Sequence, residues 1–444
     1  MATVNRILSS VKADLPCDPL ARSASLFFTG FVLTLVVSVA ATQIFLSLAG
    51  VCTFAYLLRT RPRIAFPPVK LPLALFCVFT IVPVFFAETP AAGAFEVRKL
   101  TLFLILLFAV NLVESSRHLL FLLRGLFVTS ALAGVLAVGQ FVRQYREVRL
   151  QHPHRFYFFM TVSRIHGFVG NWMNFGGQQM LVFLMIGGFL LLGWRATAAP
   201  ANHPLVSSFE MRGAAGGVVR RTAVEWVCGG IIALSILLNF TRSVWLGCFA
   251  GAVYVVARRR ARWLWTLPVL VALILVAGPS LVRHRAESVL HPERDPSAAI
   301  RLEMWRVGLR MVERHPLVGV GPDNIPEAYD LYLPPGEAPI AGYHGHLHND
   351  FVQLAAERGL PCLAAWVWFM VALIAATVRC ARKLRKFRWV AHGAIAASLA
   401  LVTEGFFEFN FGSTPVLMVF LFLAALPFAV ERIERLEETR PAAL

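Results

Sequence analysis

Charged side chains are scarce in this chain. They make up 15% of its 444 residues, where a soluble domain carries roughly a quarter. Acids are scarcer still: 25 Asp and Glu stand against 42 Lys and Arg, a net charge of +17. So little charge, beside 57% hydrophobic residues and a mean hydropathy of +0.66, excludes a globular protein dissolved in water. Lipid must be the solvent for most of the surface. The positive excess then belongs in loops against anionic headgroups rather than on nucleic acid. Cysteine patterning is missing too. Cys17, Cys52, Cys77, Cys228, Cys248, Cys362 and Cys380 form no CxxC pair and no cluster with histidine, which excludes a disulfide framework and a zinc site. No internal repeat is visible. The first apolar run starts near Ser25 and lacks a cleavage-type ending, so it reads as a first span rather than a removed signal.

What is present is a series of apolar runs long enough to cross a bilayer, which takes about 20 residues. Residues 25–58, interrupted from Ser38 to Gln43, read as two spans with a tight hairpin. Further spans fit 71–87, 99–113, 119–140, 177–194, 223–240, 244–257, 262–279, 359–378, 389–405 and 412–430. The expected architecture is an all-α polytopic membrane protein of about twelve transmembrane helices. With a cytoplasmic N-terminus (1–24), the inward connections collect Arg59, Arg61, Arg63 and Lys70, then Arg117, the linker 195–222, Arg258–Arg260, and Arg379–Arg388. Both termini, including the tail 431–444, are expected inside. The linker from Ala196 to Gly217 is rich in Ala, Gly, Pro and Ser and reads as disordered.

Two outward segments are basic against this pattern: the loop 140–175, within the helical block 25–279, and the long loop 280–358 before the last block 359–430. Basic residues retained on the outer side are candidates for holding an anion. Arg242 lies in Thr241-Arg242-Ser243 between two apolar runs. It is either a snorkelling arginine or a guanidinium fork gripping a phosphate. Arg301 heads an amphipathic segment with Leu302, Trp305, Leu309 and Val312 near one face and Arg306, Arg310 and Glu313 toward another. That segment suits an interfacial helix or a set of substrate contacts. His344, His346 and His348 alternate. The only nearby acids are Asp350 and Glu357, so no metal site is expected. A histidine here suits a general base or a structural role. Asn349 would orient the imidazole, and Glu357 would open the next span, where a carboxylate suits a helix N-terminus. Glu404 and Glu408, with Asn410, sit at another outward span end. They would balance the arginines, contact a sugar, or simply be solvated. Arg164, with Gly167, Asn171 and Asn174, marks a polar entry to a span, either a lid or a second phosphate contact.

In order along the chain stand Arg164 with Gly167 and Asn174; Thr241-Arg242-Ser243; Arg301 with Trp305, leading to Pro316-Leu317-Val318-Gly319-Val320-Gly321; and His348-Asn349 with Gly359. Over roughly Ala24 to Val430 this pattern resembles the O-antigen ligase and polymerase superfamily, and within it the O-antigen ligases. The resemblance implies a GT-C type fold with a large periplasmic loop containing amphipathic helices. It implies an inverting, metal-independent glycosyltransferase of the bacterial inner membrane, without a cofactor, whose active site faces the periplasm. The implied donor is an undecaprenyl-pyrophosphate-linked glycan and the implied acceptor a lipid A-core hydroxyl. The family's catalytic histidine matches His348, its two essential arginines match Arg242 and Arg301, and His346 matches a less constrained position. Arg164, Arg306, Arg310, Asn349 and Glu357 complete the expected substrate-binding set. Cys362 departs from the ligase pattern, which prefers Gly there. Rival readings are a polymerase of the same superfamily, since Arg310 and Gly321 have a spacing also seen in polymerases, and a protein O-oligosaccharyltransferase. A transporter is a third, disfavoured because the charged groups lie at span ends.

Overall fold

The computed structural model describes residues 16–193, 216–277, 280–290, 296–339 and 345–439. His344 and nearly all of the linker from Ala196 to Gly217 lie outside the described residues. Among those described there is no strand. Helices α1 (Pro19–Thr34) and α2 (Val39–Thr60) form a tight hairpin, with Asp18 and Ser38 capping their N-termini. Then come α3 (Lys70–Ile81), which continues as a 3-10 turn to Phe86, and the short α4 (Pro90–Arg98). A second 3-10 turn, Lys99–Phe103, leads into α5 (Leu104–Leu112) and the 36-residue α6 (Ser116–Gln151). The middle of the chain forms α7 (Phe156–Val162), α8 (Trp172–Gly188), α9 (Gly216–Leu238), α10 (Arg242–Arg259), α11 (Thr266–Ala277) and α12 (Ser280–Leu290). The last part forms α13 (Pro296–Arg314), the single turn α14 (Ile325–Ala328), α15 (Asp350–Lys383), α16 (Arg388–Glu404) and α17 (Thr414–Thr439).

Every apolar run in the sequence falls on a helix. By length and composition, however, only five helical stretches among the described residues can each cross a membrane, against the twelve or so expected: Val39–Thr60, Ser116–Gln151, Trp172–Gly193, Asp350–Lys383 and Thr414–Thr439. The other apolar helices are shorter or broken by turns. Lys70–Phe86 is one of these, its α-helix tightening into a 3-10 turn at Val82-Pro83. Proline lacks the N–H that would continue the ladder.

Helix α17 is apolar on all sides and buried from Pro415 to Val430. Such a helix belongs at the centre of a bundle, and α5, α8, α15 and α16 pack around it. The bundle has two chemically distinct ends. At one, Arg59 faces Asp18 at 3.9 Å and Ser116 donates to Glu437 at 2.7 Å. There too, Glu434 accepts the amides of Arg385, Lys386 and Phe387. At the other end lie the turns between α9 and α10 and between α16 and α17, the start of α15, and the segment 162–171. Ser413 donates to Asn174 there at 2.7 Å, and Thr89 donates its amide to Asn324 at 3.0 Å.

The boundary expected between loop and span at residues 358 and 359 is a break inside α15. The helix begins at Asp350 and is interrupted at Gly359, where φ is +81°. Its first turns dock backbone to backbone on the Pro316–Gly321 strip. Val320 N–H donates to Ala356 O at 2.8 Å, Gly321 N–H to Glu357 O at 2.9 Å, and Leu360 N–H to Pro316 O at 2.8 Å. A Cβ on Gly359 would lie 2.2 Å from Leu317 O, and one on Gly319 2.3 Å from the Glu357 carbonyl carbon. Only glycine permits that approach, which is the physical content of the two glycine-bearing motifs.

Candidate active site

The site forms where three separate segments meet. Helix α13 crosses the start of α15 through a small core of Met304, Val307, Met311, Leu347 and Ala356. Its buried stripe is therefore Met304, Val307 and Met311; Leu302 and Leu309, expected on the apolar face, are 54% and 53% exposed. Both stripes satisfy helical periodicity, and the contact with Leu347 selects one of them. Trp305 Nε1 donates to Leu347 O at 3.1 Å, clamping the segment that carries His348 onto the helix that carries Arg301. His348 itself adopts φ of +47°.

Glu408, in the turn between α16 and α17, joins the two. One carboxylate oxygen accepts from the Arg301 guanidinium. The other lies 2.8 Å from His348 Nδ1. The Glu408 side chain is 1% exposed, Arg301 19% and His348 16%. Both partners thus line a surface that a substrate can reach, while the carboxylate stays behind them. Burial alone would push the Glu408 carboxyl up. Arg301, followed by the His348 hydrogen bond, outweighs it and holds the group below its ordinary value. An ionised carboxylate only accepts hydrogen bonds. His348 must therefore carry its hydrogen on Nδ1, which leaves the Nε2 lone pair as the basic position. The His346 ring packs edge-on against His348 with centroids 4.2 Å apart. Burial, then His348 and Arg301, lower its pKa to about 4 against the opposing pull of Glu408, so His346 is neutral at physiological pH.

Arg242 opens α10, and its Nη2 donates to Ser297 Oγ at 2.9 Å. Ser297 lies in the first turn of α13, one turn before Arg301, so Arg242 is held beside the same helix end. Arg164 stacks on Trp172 at 3.8 Å and donates Nε to Thr161 O at 2.6 Å. Its loop is fastened by Asn239, whose Nδ2 donates to Ile165 O and Trp172 O, both at 3.0 Å. Burial, followed by the charges of Arg285, Arg301 and Arg242, lowers the Arg164 pKa to about 9, while Glu408 raises it. Among the described residues, Arg285, Arg301, Arg242 and Glu408 thus all act on Arg164, and planar guanidinium groups brought together in this way suit a phosphate. Arg285 is a member that sequence reasoning missed. It is buried on α12 and donates to Phe240 O at 3.1 Å.

The other expected residues do not join this cluster. Asn349 caps α15 rather than orienting the imidazole. Its Oδ1 accepts from Phe351 N at 2.9 Å and Val352 N at 3.0 Å, and its Nδ2 donates to Phe406 O at 2.9 Å. Arg306 is exposed on the outer face of α13, and Arg310 points to Tyr332 O at 3.4 Å. Glu357 lies inside α15 rather than at its start. It accepts from Gln353 at 2.7 Å and from Asp323 N at 3.2 Å, and it faces Arg358 at 3.5 Å. Arg358 also reaches Glu96 at 3.2 Å. This second buried charge group braces α4 and the strip before α14 against the break in α15.

A family model described as O-antigen ligase matches residues 228–367. That span includes Arg242, Arg301, His346 and His348, two of which the Glu408 bridge unites. That region is similar to the O-antigen ligase family. Members of this family are glycosyltransferase-like membrane enzymes, ligases or polymerases. Arg164 and Glu408 lie outside the O-antigen ligase region yet converge on it. No curated protein sequence matches the chain.

Proposed function

We propose that this protein transfers a glycan from undecaprenyl pyrophosphate to a lipid A-core hydroxyl at the periplasmic face of the bacterial inner membrane. The observation that carries the reading is the buried Glu408 carboxylate that joins Arg301 to His348, beside a helix start that also holds Arg242 through Ser297. The guanidinium groups hold the pyrophosphate and balance the charge that develops as it leaves. His348 Nε2 removes the acceptor hydroxyl proton as that oxygen attacks the anomeric carbon. The anomeric C–O bond to pyrophosphate breaks, and its electron pair departs with the phosphate oxygen. One displacement inverts the anomeric carbon. The separation of this pocket from the bundle end that collects Arg59, Lys383 and Arg385 supports a periplasmic site with both termini cytoplasmic.

The acceptor is tested by reconstituting the full chain in liposomes with a defined undecaprenyl-pyrophosphate-linked glycan and offering lipid A-core, the same lipid-linked glycan, or a protein acceptor. Glycan on lipid A-core is expected. Longer glycan still on undecaprenyl pyrophosphate identifies a polymerase, glycan on protein a protein oligosaccharyltransferase, and movement without a new bond a flippase.

A further inference from the structure

The carboxylate of Glu408 bridges the two groups to which the proposed reaction assigns different tasks. Arg301 is a donor-side group and His348 an acceptor-side group, yet each is anchored to one oxygen of the same buried side chain. Glu408 touches neither substrate position directly, being 1% exposed. Its own turn is fixed from behind: Asn410 donates to Glu404, Asp350 accepts the Phe411 amide at 3.2 Å, and Asp350 N–H donates to Gly405 O at 2.7 Å. The carboxylate is therefore held in a rigid frame rather than on a floating loop.

We propose that Glu408 is the positioning residue of the transfer: it keeps His348 protonated on Nδ1 with Nε2 facing the acceptor, stabilises the imidazolium that forms, and sets Arg301 at the pyrophosphate. This inference rests on the transfer reading above. When the acceptor O–H proton moves to Nε2, His348 becomes a cation hydrogen-bonded to the Glu408 carboxylate, with His346 against its ring. Without the carboxylate that cation would lose its anionic partner while the Arg301 charge stayed nearby, and proton uptake would be disfavoured. A carboxylate hydrogen-bonded to a catalytic imidazole raises its basicity and fixes its ring, as second partners of histidine do generally. A pyrophosphate arriving at Arg301 shares that guanidinium and leaves more of the Glu408 charge to His348, so donor binding readies the base.

The test compares Glu408→Gln, Glu408→Asp, His348→Ala and the His348→Ala/Glu408→Gln double variant. Each is the full chain in proteoliposomes at matched membrane levels, with the lipid-linked glycan donor and lipid A-core acceptor. Glu408→Gln should lower kcat by roughly 10²- to 10⁴-fold. It should also move the acid limb of the kcat/KM profile to lower pH, because the imidazole loses its anionic partner. Donor binding should stay close to wild type, because the Gln carbonyl oxygen can still accept from Arg301 and hold it in place. Glu408→Asp keeps the charge and should leave the acid limb at its wild-type pH with a partial loss of rate. The double variant should be no slower than His348→Ala alone, because the Gln oxygen can still accept from Arg301 and the lost charge acts through His348. A Glu408→Gln enzyme within threefold of wild type with an unmoved acid limb overturns the proposal, as does a double variant clearly slower than His348→Ala. If Glu408→Gln does not reach the membrane, the Glu408→Asp profile decides: a shifted limb with the charge retained is contrary to the proposal. An active His348→Ala enzyme removes the transfer reading itself and so separates the two failures.

Discussion

The indole of Trp305 donates to the carbonyl of Leu347 at 3.1 Å, one residue before His348. This single bond ties the helix carrying Arg301 to the segment carrying the imidazole. Trp305→Phe keeps most of the aromatic bulk and loses only the donor. A hydrogen bond of this kind contributes about 1 kcal/mol. The expected result is roughly a fivefold drop in transfer, with membrane abundance unchanged and donor binding intact. Steady-state kinetics on the reconstituted variant checks it.

The proposed donor site takes in Arg285, which is buried on α12 and acts on Arg164. Arg285→Gln should raise the donor KM by roughly tenfold or more, the range for losing one charge-assisted contact to phosphate, with a smaller effect on kcat. The conservative Arg285→Lys should recover part of the loss, because a point charge replaces a planar fork. Donor titration by transfer rate measures both. A KM equal to wild type in Arg285→Gln would place this arginine outside the donor site.

Glycine at 359 is demanded by two features at once, a φ of +81° and a carbonyl 2.2 Å from where a Cβ would stand. Gly359→Ala should therefore destabilise by about 1–3 kcal/mol for the backbone conformation alone, with a further cost for parting α15 from the Pro316–Gly321 strip. Gly336 has φ of +82° but no atom within 4 Å of its Cβ position, so Gly336→Ala isolates the conformational part. Thermal unfolding in detergent should rank wild type above Gly336→Ala and Gly336→Ala well above Gly359→Ala.

His346 makes stability depend on pH. Burial, with His348 and Arg301, lowers its pKa to about 4, whereas an unfolded chain protonates a histidine near 6.5. Between these values the unfolded chain binds the extra proton, so stability rises with pH from about 4 to 6.5 and is flat above. His346→Phe should flatten the Tm profile in that window. An unchanged profile would assign the window to another group.

The helical bundle is plain in the sequence because the described parts of the apolar runs lie largely in helices, although five of those helices, not about twelve, are long and apolar enough to cross a bilayer. The four motif elements also announce their shared end of the bundle through the sign of the loops between them. Their division of labour is less plain. The glycines of Pro316–Gly321 and Gly359 look like site signals but are a docking seam, which only the facing backbone reveals. Asn349 sits beside His348 in sequence and beside Phe351 and Val352 in space, because an Asn before Asp-Phe-Val is a helix cap first. Glu408 is 107 residues from Arg301 and 60 from His348, and no local period connects such partners. Its place at an outward span end allows the reading that it balances the arginines, and its contact with Arg301 agrees with that reading; its bond to His348 has no signal in the sequence. Arg285 looks like one more cation in a basic helix until its burial sets it apart.

Transfer by His348→Ala under single-turnover conditions, with donor binding measured on the same proteoliposomes, bears most directly on the proposed chemistry. The donor should stay bound on Arg242 and Arg301 while formation of the new glycosidic bond slows by roughly 10²- to 10⁴-fold, the usual contribution of a general base. Transfer at a near-wild-type rate, with the variant folded and the donor bound, would contradict the assignment of His348 as the base.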